Sequence, residues 1–309
     1  MMTSDTSFPS TRLLRLMTLA VILPLCTHLW AQKDSSIYEV VDAFPETQIS
    51  PNHIRYDTRE IREDVNAIAI GQVNVLDTYL SPAEYTGTEL RYISHSTRRI
   101  PGGNPISRQL VQQGSIAGLE DRVGKGSEIS GLYDLSFALH YNWVPFANCL
   151  LQVGGQFETG LGVIYNTRNT NNPAQMRLFA NIGPSAVGQY AFQVFHKRCK
   201  VRYEVSVPLV GVMFSPNYGQ SYYEIFSLGN YDHNCVLTTV GNAPSLRHTL
   251  SFDVAFRSFI LRVGYLGDYQ QAKVNNLKQH VNTNAFMIGF VKNLSIMKKR
   301  KLKIEDSNL

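Results

Sequence analysis

Ile129 to Trp143 reads ISGLYDLSFALHYNW. One parity carries Ile129, Gly131, Tyr133, Leu135, Phe137, Leu139, Tyr141 and Trp143, and the other carries Ser130, Asp134, Ser136, His140 and Asn142. Side chains of an extended strand point alternately to its two faces, so this period of two predicts a strand with one dry face. The same alternation returns from Cys149 to Tyr165, Ala174 to His196, Cys199 to Met213, Leu246 to Phe256 and Phe259 to Tyr269.

Charge sorts sharply between the two parities of these six segments. With 17% of the chain charged, the apolar faces should carry several Asp, Glu, Lys or Arg if the faces were equivalent, and they carry none. The opposite faces hold Asp134, Glu158, Arg177, Lys200, Arg202, Glu204, Arg247, Asp253, Arg257, Arg262 and Asp268. Strands of soluble sandwiches are commonly about five or six residues long. A tilted strand that crosses a bilayer needs roughly nine to eleven, and these segments reach or exceed that length. The reading is therefore all-β: a transmembrane antiparallel up-and-down β-barrel whose apolar face meets lipid and whose charged face lines the lumen, with Asp134, Glu158, Arg177, Arg202, Glu204, Arg247, Asp253 and Arg262 as an internal ion-pair network.

Turn lengths support this. Val144 to Asn148, Lys197 to Arg198 and Arg257 to Ser258 are tight, and Asn166 to Pro173, Ser215 to Ser245 and Gln270 to Gln279 are longer and polar. Outer-membrane barrels place short turns on the periplasmic side and longer loops outside. Weaker strands at Ile68 to Leu80, Thr86 to Thr97, Ser107 to Leu119 and His280 to Lys292 complete about ten, with both ends periplasmic. The segment Tyr222 to Val240 could add a hairpin and make twelve, but its alternation is poor.

The domain order follows. Arg12 and Arg15 precede the apolar run Leu16 to Leu25, and Ala31 offers a cleavage site, so residues 1–31 read as a secretory signal peptide. Residues 32–67 are polar and carry no dyad, which suggests a periplasmic lead or partial plug. The barrel is expected over 68–293 and a basic periplasmic tail over 294–309. No later run is apolar for about twenty residues, which excludes a helical membrane protein. The net charge of +5 is spread along the chain, and an exported barrel points to membrane lipid, not nucleic acid, as its partner. Cys149, Cys199 and Cys235 form no disulfide framework; Cys149 and Cys199 lie on strands with another strand between them.

The pattern resembles the small outer-membrane barrels of Gram-negative bacteria. The stretch from Pro208 through Ser215 to Tyr223 (Ser-Pro-Asn-Tyr-Gly-Gln-Ser-Tyr-Tyr) is similar to members of an uncharacterised barrel family in that group. The resemblance implies an outer-membrane location and contact with the barrel assembly machinery. Such barrels often finish on an aromatic residue read by that machinery, whereas here Phe290 is followed by further sequence.

Chemistry is sparse. Gly124 and Gly126 flank Lys125 without the spacing of a phosphate loop. The histidines are scattered, His233 beside Asp232 being the best local metal candidate, and no cofactor is called for. A lipid hydrolase would draw on Ser94, His95 and Ser96, but His95 and Ser96 point to opposite faces. Asp134, Ser136 and His140 share the lumen face, where mutual hydrogen bonding is the expected role. The readings left open are a narrow pore for small solutes, a lipid hydrolase, a soluble lipocalin-like barrel, and a non-enzymatic barrel that binds a surface ligand. For the last, the loop residues Tyr218, Tyr222, Tyr223, Phe226 and Tyr231 stand out, because tyrosine offers area and a polar tip at low entropy cost.

Overall fold

The computed structural model describes residues 60–99, 105–124, 126–169 and 172–296. The expected signal peptide, most of the lead and most of the basic tail lie outside them, and 294–296, expected in the tail, belong to the last strand. The strands are β1 (Glu60–Asp77), β2 (Tyr85–Arg99), β3 (Ile106–Asp121), β4 (Ser127–Trp143), β5 (Cys149–Asn166), β6 (Ala174–Val194), β7 (Lys197–Ser206), β8 (Val210–Phe214), β9 (Cys235–Thr239), β10 (Ser245–Ala255), β11 (Ile260–Val274) and β12 (Leu277–Ile296). A short helix, α1 (Tyr222–Phe226), sits between β8 and β9. Sheet order is β5-β4-β3-β2-β1-β12-β11-β10-β7-β6, and β6 pairs back onto β5 from Tyr165↔Ala174 to Cys149↔Tyr190, which closes the barrel. Closure satisfies the backbone donors and acceptors of the wall from within, as a hydrocarbon surround requires.

The outward faces are apolar and bare. Phe286 is 74% exposed and Ile182 62%, and Ile68, Ile70, Leu161, Ile288 and Phe290 are exposed around the same belt. A soluble protein does not leave so large a contiguous apolar surface to water. With the charges turned inward, the fold is a membrane-spanning barrel, and the belt removes the soluble lipocalin-like alternative.

Three boundaries and one lumen assignment differ from expectation. β1 begins at Glu60, so residues 60–67 belong to the wall and not to a lead; their run of Glu, Arg and Asp hid the strand. β11 and β12 extend to a two-residue turn at Asn275 and Asn276, whose φ of 50° and 60° suit asparagine, so no long loop spans Gln270 to Gln279. The β6–β7 turn falls at Phe195–His196, with φ of 47° and 62°, instead of Lys197–Arg198; neither residue is the glycine or asparagine that marks such a turn. Arg257 is exposed in the β10–β11 turn and does not line the lumen.

The segment expected as one strand from Cys199 to Met213 is broken. Ser185 pairs with Ser206 and Ile182 with Val210, so three steps on β6 face four on the other chain, a one-residue bulge at Val207–Leu209. Pro184 on β6 and Pro208 at the bulge both lack an N–H. A Cβ on Gly183 would lie 2.0 Å from the Val207 carbonyl oxygen, so only glycine admits this approach. Past the bulge the parity inverts: Val210 and Val212 face out, and Gly211 and Met213 face in. β9 pairs only with β8, so ten strands form the wall and β8–β9 is a spur on it.

Candidate functional site

Ion pairs and amides cross the lumen in two layers. In the layer nearer the β6–β7 and β10–β11 turns, Arg262 on β11 forks onto Asp253 on β10, with Nε–Oδ1 2.6 Å and Nη2–Oδ2 2.7 Å. Its Nη2 also lies 2.8 Å from Glu63 Oε1 on β1. Lys200 on β7 completes the ring at 2.6 Å from Glu63 and 3.2 Å from Asp253. Arg202 donates to Glu204 at 2.9 Å and, across the barrel, to Gln109 on β3 at 2.9 Å, while Gln109 in turn donates to Glu204. Arg262 is 2% exposed and Asp253 1%. Charges this buried are tolerated because each meets an opposite charge and further hydrogen bonds.

In the outer layer Arg91 on β2 meets Glu89 and Asp268, both at 2.8 Å. Thr283 donates to Glu89 at 3.0 Å. Arg247 on β10 reaches Asp134 on β4 at 3.3 Å, Glu158 on β5 at 3.2 Å and Asp268 on β11 at 3.1 Å. Arg177 differs from the other network arginines: it donates to Gln270 at 2.5 Å and makes no ion pair among the described residues. Seven of the eight expected network residues thus meet as ion pairs, and Arg177 joins through an amide. Glu63, Glu89, Arg91 and Gln109 were missed. Glu89 and Arg91 keep the lumen parity of β2 and were legible, whereas Glu63 fell in the segment read as a lead.

The hydrolytic constellations are not assembled. His95 faces the lumen, where its Nε2 lies 3.2 Å from Thr97 Oγ1, away from the outward Ser94 and Ser96. His140 Nε2 lies 3.1 Å from Ser185 Oγ, not against Ser136, and its Nδ1 has no partner to orient it. Asp134 is engaged by Arg247. His233 and Asp232 form an exposed pair, and no group of three or more metal-ligating side chains converges among the described residues.

Over the outer mouth lies a folded cap. Ser221 and Glu224 form a capping box that starts α1, and Ile225 is fully buried. Tyr222 stacks on Phe226, packs tilted against Phe214, meets Tyr79 edge-on at 5.9 Å and donates to Gln175 at 2.9 Å. Tyr79 donates to the Gln220 carbonyl at 2.9 Å, and Asn275 from the β11–β12 tip donates to the carbonyls of Ser215 and His233. Burial, reinforced by Asp77 and Glu224, pushes the Tyr79 phenol up to about 12. Burial also raises the Tyr222 phenol, and the bonds from Ser221 hold Glu224 below the usual carboxylate range. Of the five loop aromatics, Tyr222 is structural, while Tyr218, Tyr223, Phe226 and Tyr231 are exposed together with Leu228.

Three solved structures illustrate the likeness in fold. The transport unit of the autotransporter AIDA-I from Escherichia coli aligns with TM-score 0.42 at 5% identity, over 82% of this chain and 95% of that one. Neisserial surface protein A aligns with TM-score 0.29 at 11% identity, over 74% and 96%. The outer membrane protein OprG from Pseudomonas aeruginosa aligns with TM-score 0.26 at 6% identity, over 79% and 98%. No curated protein matches the chain. A family model covers residues 18–301, and the chain belongs to that family, described as Protein of unknown function (DUF3316).

Proposed function

We propose that this chain is a surface-recognition barrel of the outer membrane, closed to passage along its axis, which binds a protein partner outside the cell through its cap. One observation carries the reading: Tyr218, Tyr223, Phe226, Leu228 and Tyr231 are exposed on a loop that is itself pinned by Tyr222, Gln220 and Asn275. Aromatic anchors on a preorganised support lose little entropy when they bind, and Tyr is enriched where interfaces concentrate their energy. Lipid holds the apolar belt, and the internal ion pairs cross the lumen. Neither a metal nor a cofactor enters this role.

The test displays the full chain on cells and measures attachment to one another and to protein-coated surfaces. Replacing Tyr218, Tyr223, Phe226 and Tyr231 together by serine should lower attachment at least tenfold, with unchanged heat-modifiability on gels. Attachment that is absent from the start, or indifferent to the four replacements, contradicts the proposal.

A further inference from the structure

The wall has a second irregularity beside the bulge. β10 leaves β11 at Ser245↔Gln270, and above that level a single backbone bond, from Lys273 N–H to the Asn242 carbonyl, ties β11 to the β9–β10 connection. The other edge of β9 pairs with no strand among the described residues. A free strand edge in a barrel wall is unusual, since closure exists to remove such edges. The outward side chains of this spur, Val210, Val212 and Leu237, are exposed and apolar, which keeps it in the hydrocarbon belt.

A cavity opens here, lined both by side chains of the lumen and by side chains of the outer surface. Leu209, Val210 and Leu246 belong to the outer face; Thr238, Arg177 and Arg247 belong to the inner end. The inner end has unused donors. Thr238 is 5% exposed, and neither its Oγ1 nor Arg247 Nε has a hydrogen-bond partner among the described residues. Charge is already balanced, because the guanidiniums of Arg177 and Arg247 face the carboxylates of Glu158 and Asp268 in the same lining.

We propose that this cavity is a lateral binding site that takes an apolar molecule with one uncharged hydrogen-bond acceptor, such as an ester or ketone, entering from the membrane between β9 and β11. The chain of the molecule lies against Leu209, Val210 and Leu246, and its acceptor oxygen takes a hydrogen bond from Thr238 or Arg247 Nε. Unused donors call for an acceptor. A charged head of either sign would disturb a balanced, buried set of charges. This goes beyond recognition at the cap, and it needs no passage along the barrel axis.

The test uses the refolded full-length protein in detergent and three fluorescent polyene probes of equal length: a methyl ester, the free carboxylate and the hydrocarbon. The ester should bind saturably, about tenfold tighter than either of the others. Thr238→Val should weaken the ester about fivefold, the size of one neutral hydrogen bond, and leave the hydrocarbon unchanged. Leu246→Trp should weaken all three. Heat-modifiability on gels confirms that each variant is folded. No saturable binding, equal binding of ester and hydrocarbon, tightest binding of the carboxylate, or an ester indifferent to Thr238→Val would each overturn the proposal.

Discussion

Along the seam between β1 and β12 the register runs unbroken from Glu60↔Ile296 to Asp77↔Gln279. Along the seam between β6 and β7–β8 it breaks at Val207–Leu209, beside two prolines, and the wall beyond carries a spur with a free edge. The contents of the lumen follow the wall. Beside the intact part, Arg262, Lys200, Asp253 and Glu63 form a closed ring of contacts of 2.6–3.2 Å. Beside the break, the ion pairs of Arg247 are 3.1–3.3 Å long, and Arg247 Nε and Thr238 Oγ1 have no partner among the described residues. Regular pairing positions side chains tightly enough to plug a ten-stranded barrel, and a bulge trades that closure for local space.

The largest effect that could break this comparison is expected in the closed ring. Arg262→Ala leaves the carboxylates of Asp253 and Glu63 to share Lys200 alone and should cost about 3–5 kcal/mol, measured by urea unfolding in lipid with the gel shift as readout. Arg177→Gln, which removes a cation that pairs with no carboxylate, should cost far less; equal costs would erase the distinction between the layers. Next comes the break itself. Gly183→Ala drives a Cβ to 2.0 Å from the Val207 oxygen and should cost about 1–3 kcal/mol. Gly118→Ala meets nothing within 4 Å and should stay within about 0.5 kcal/mol of the original. The smallest effect is at the cap. A phenol whose folded value is raised keeps its contribution below the ordinary value of 10 and loses it as pH climbs toward about 12. Protease sensitivity of residues 215–234 should therefore rise across that window, and Tyr79→Phe should shift the onset upward.

Much of the barrel was legible because lipid imposes its rule on every outward residue. From Ile129 to Trp143 the dry parity faces out and Asp134, Ser136 and His140 face in. Legibility failed where both parities are apolar: the stretch Val207 to Met213 reads equally well in either phase, so neither the bulge nor the inversion after it could be seen. It failed again at Phe195–His196, which adopt left-handed φ without a turn residue to announce it. The lumen charges were readable as a set, but their partners depend on which strands face one another across the barrel, and alternation along one strand carries no such information. At the cap, the aromatic content was plain, whereas the division between the packed Tyr222 and the exposed Tyr218, Tyr223, Phe226 and Tyr231 depends on α1, a helix of a single capped turn.

Single-channel recording in planar bilayers tests the closed, membrane-spanning barrel most directly. The purified protein should insert and stay silent, and replacing Lys200, Arg202 and Arg262 together by alanine should produce discrete conductance steps. Regular steps from the unaltered protein would contradict the proposed closure by the two layers of crossing ion pairs.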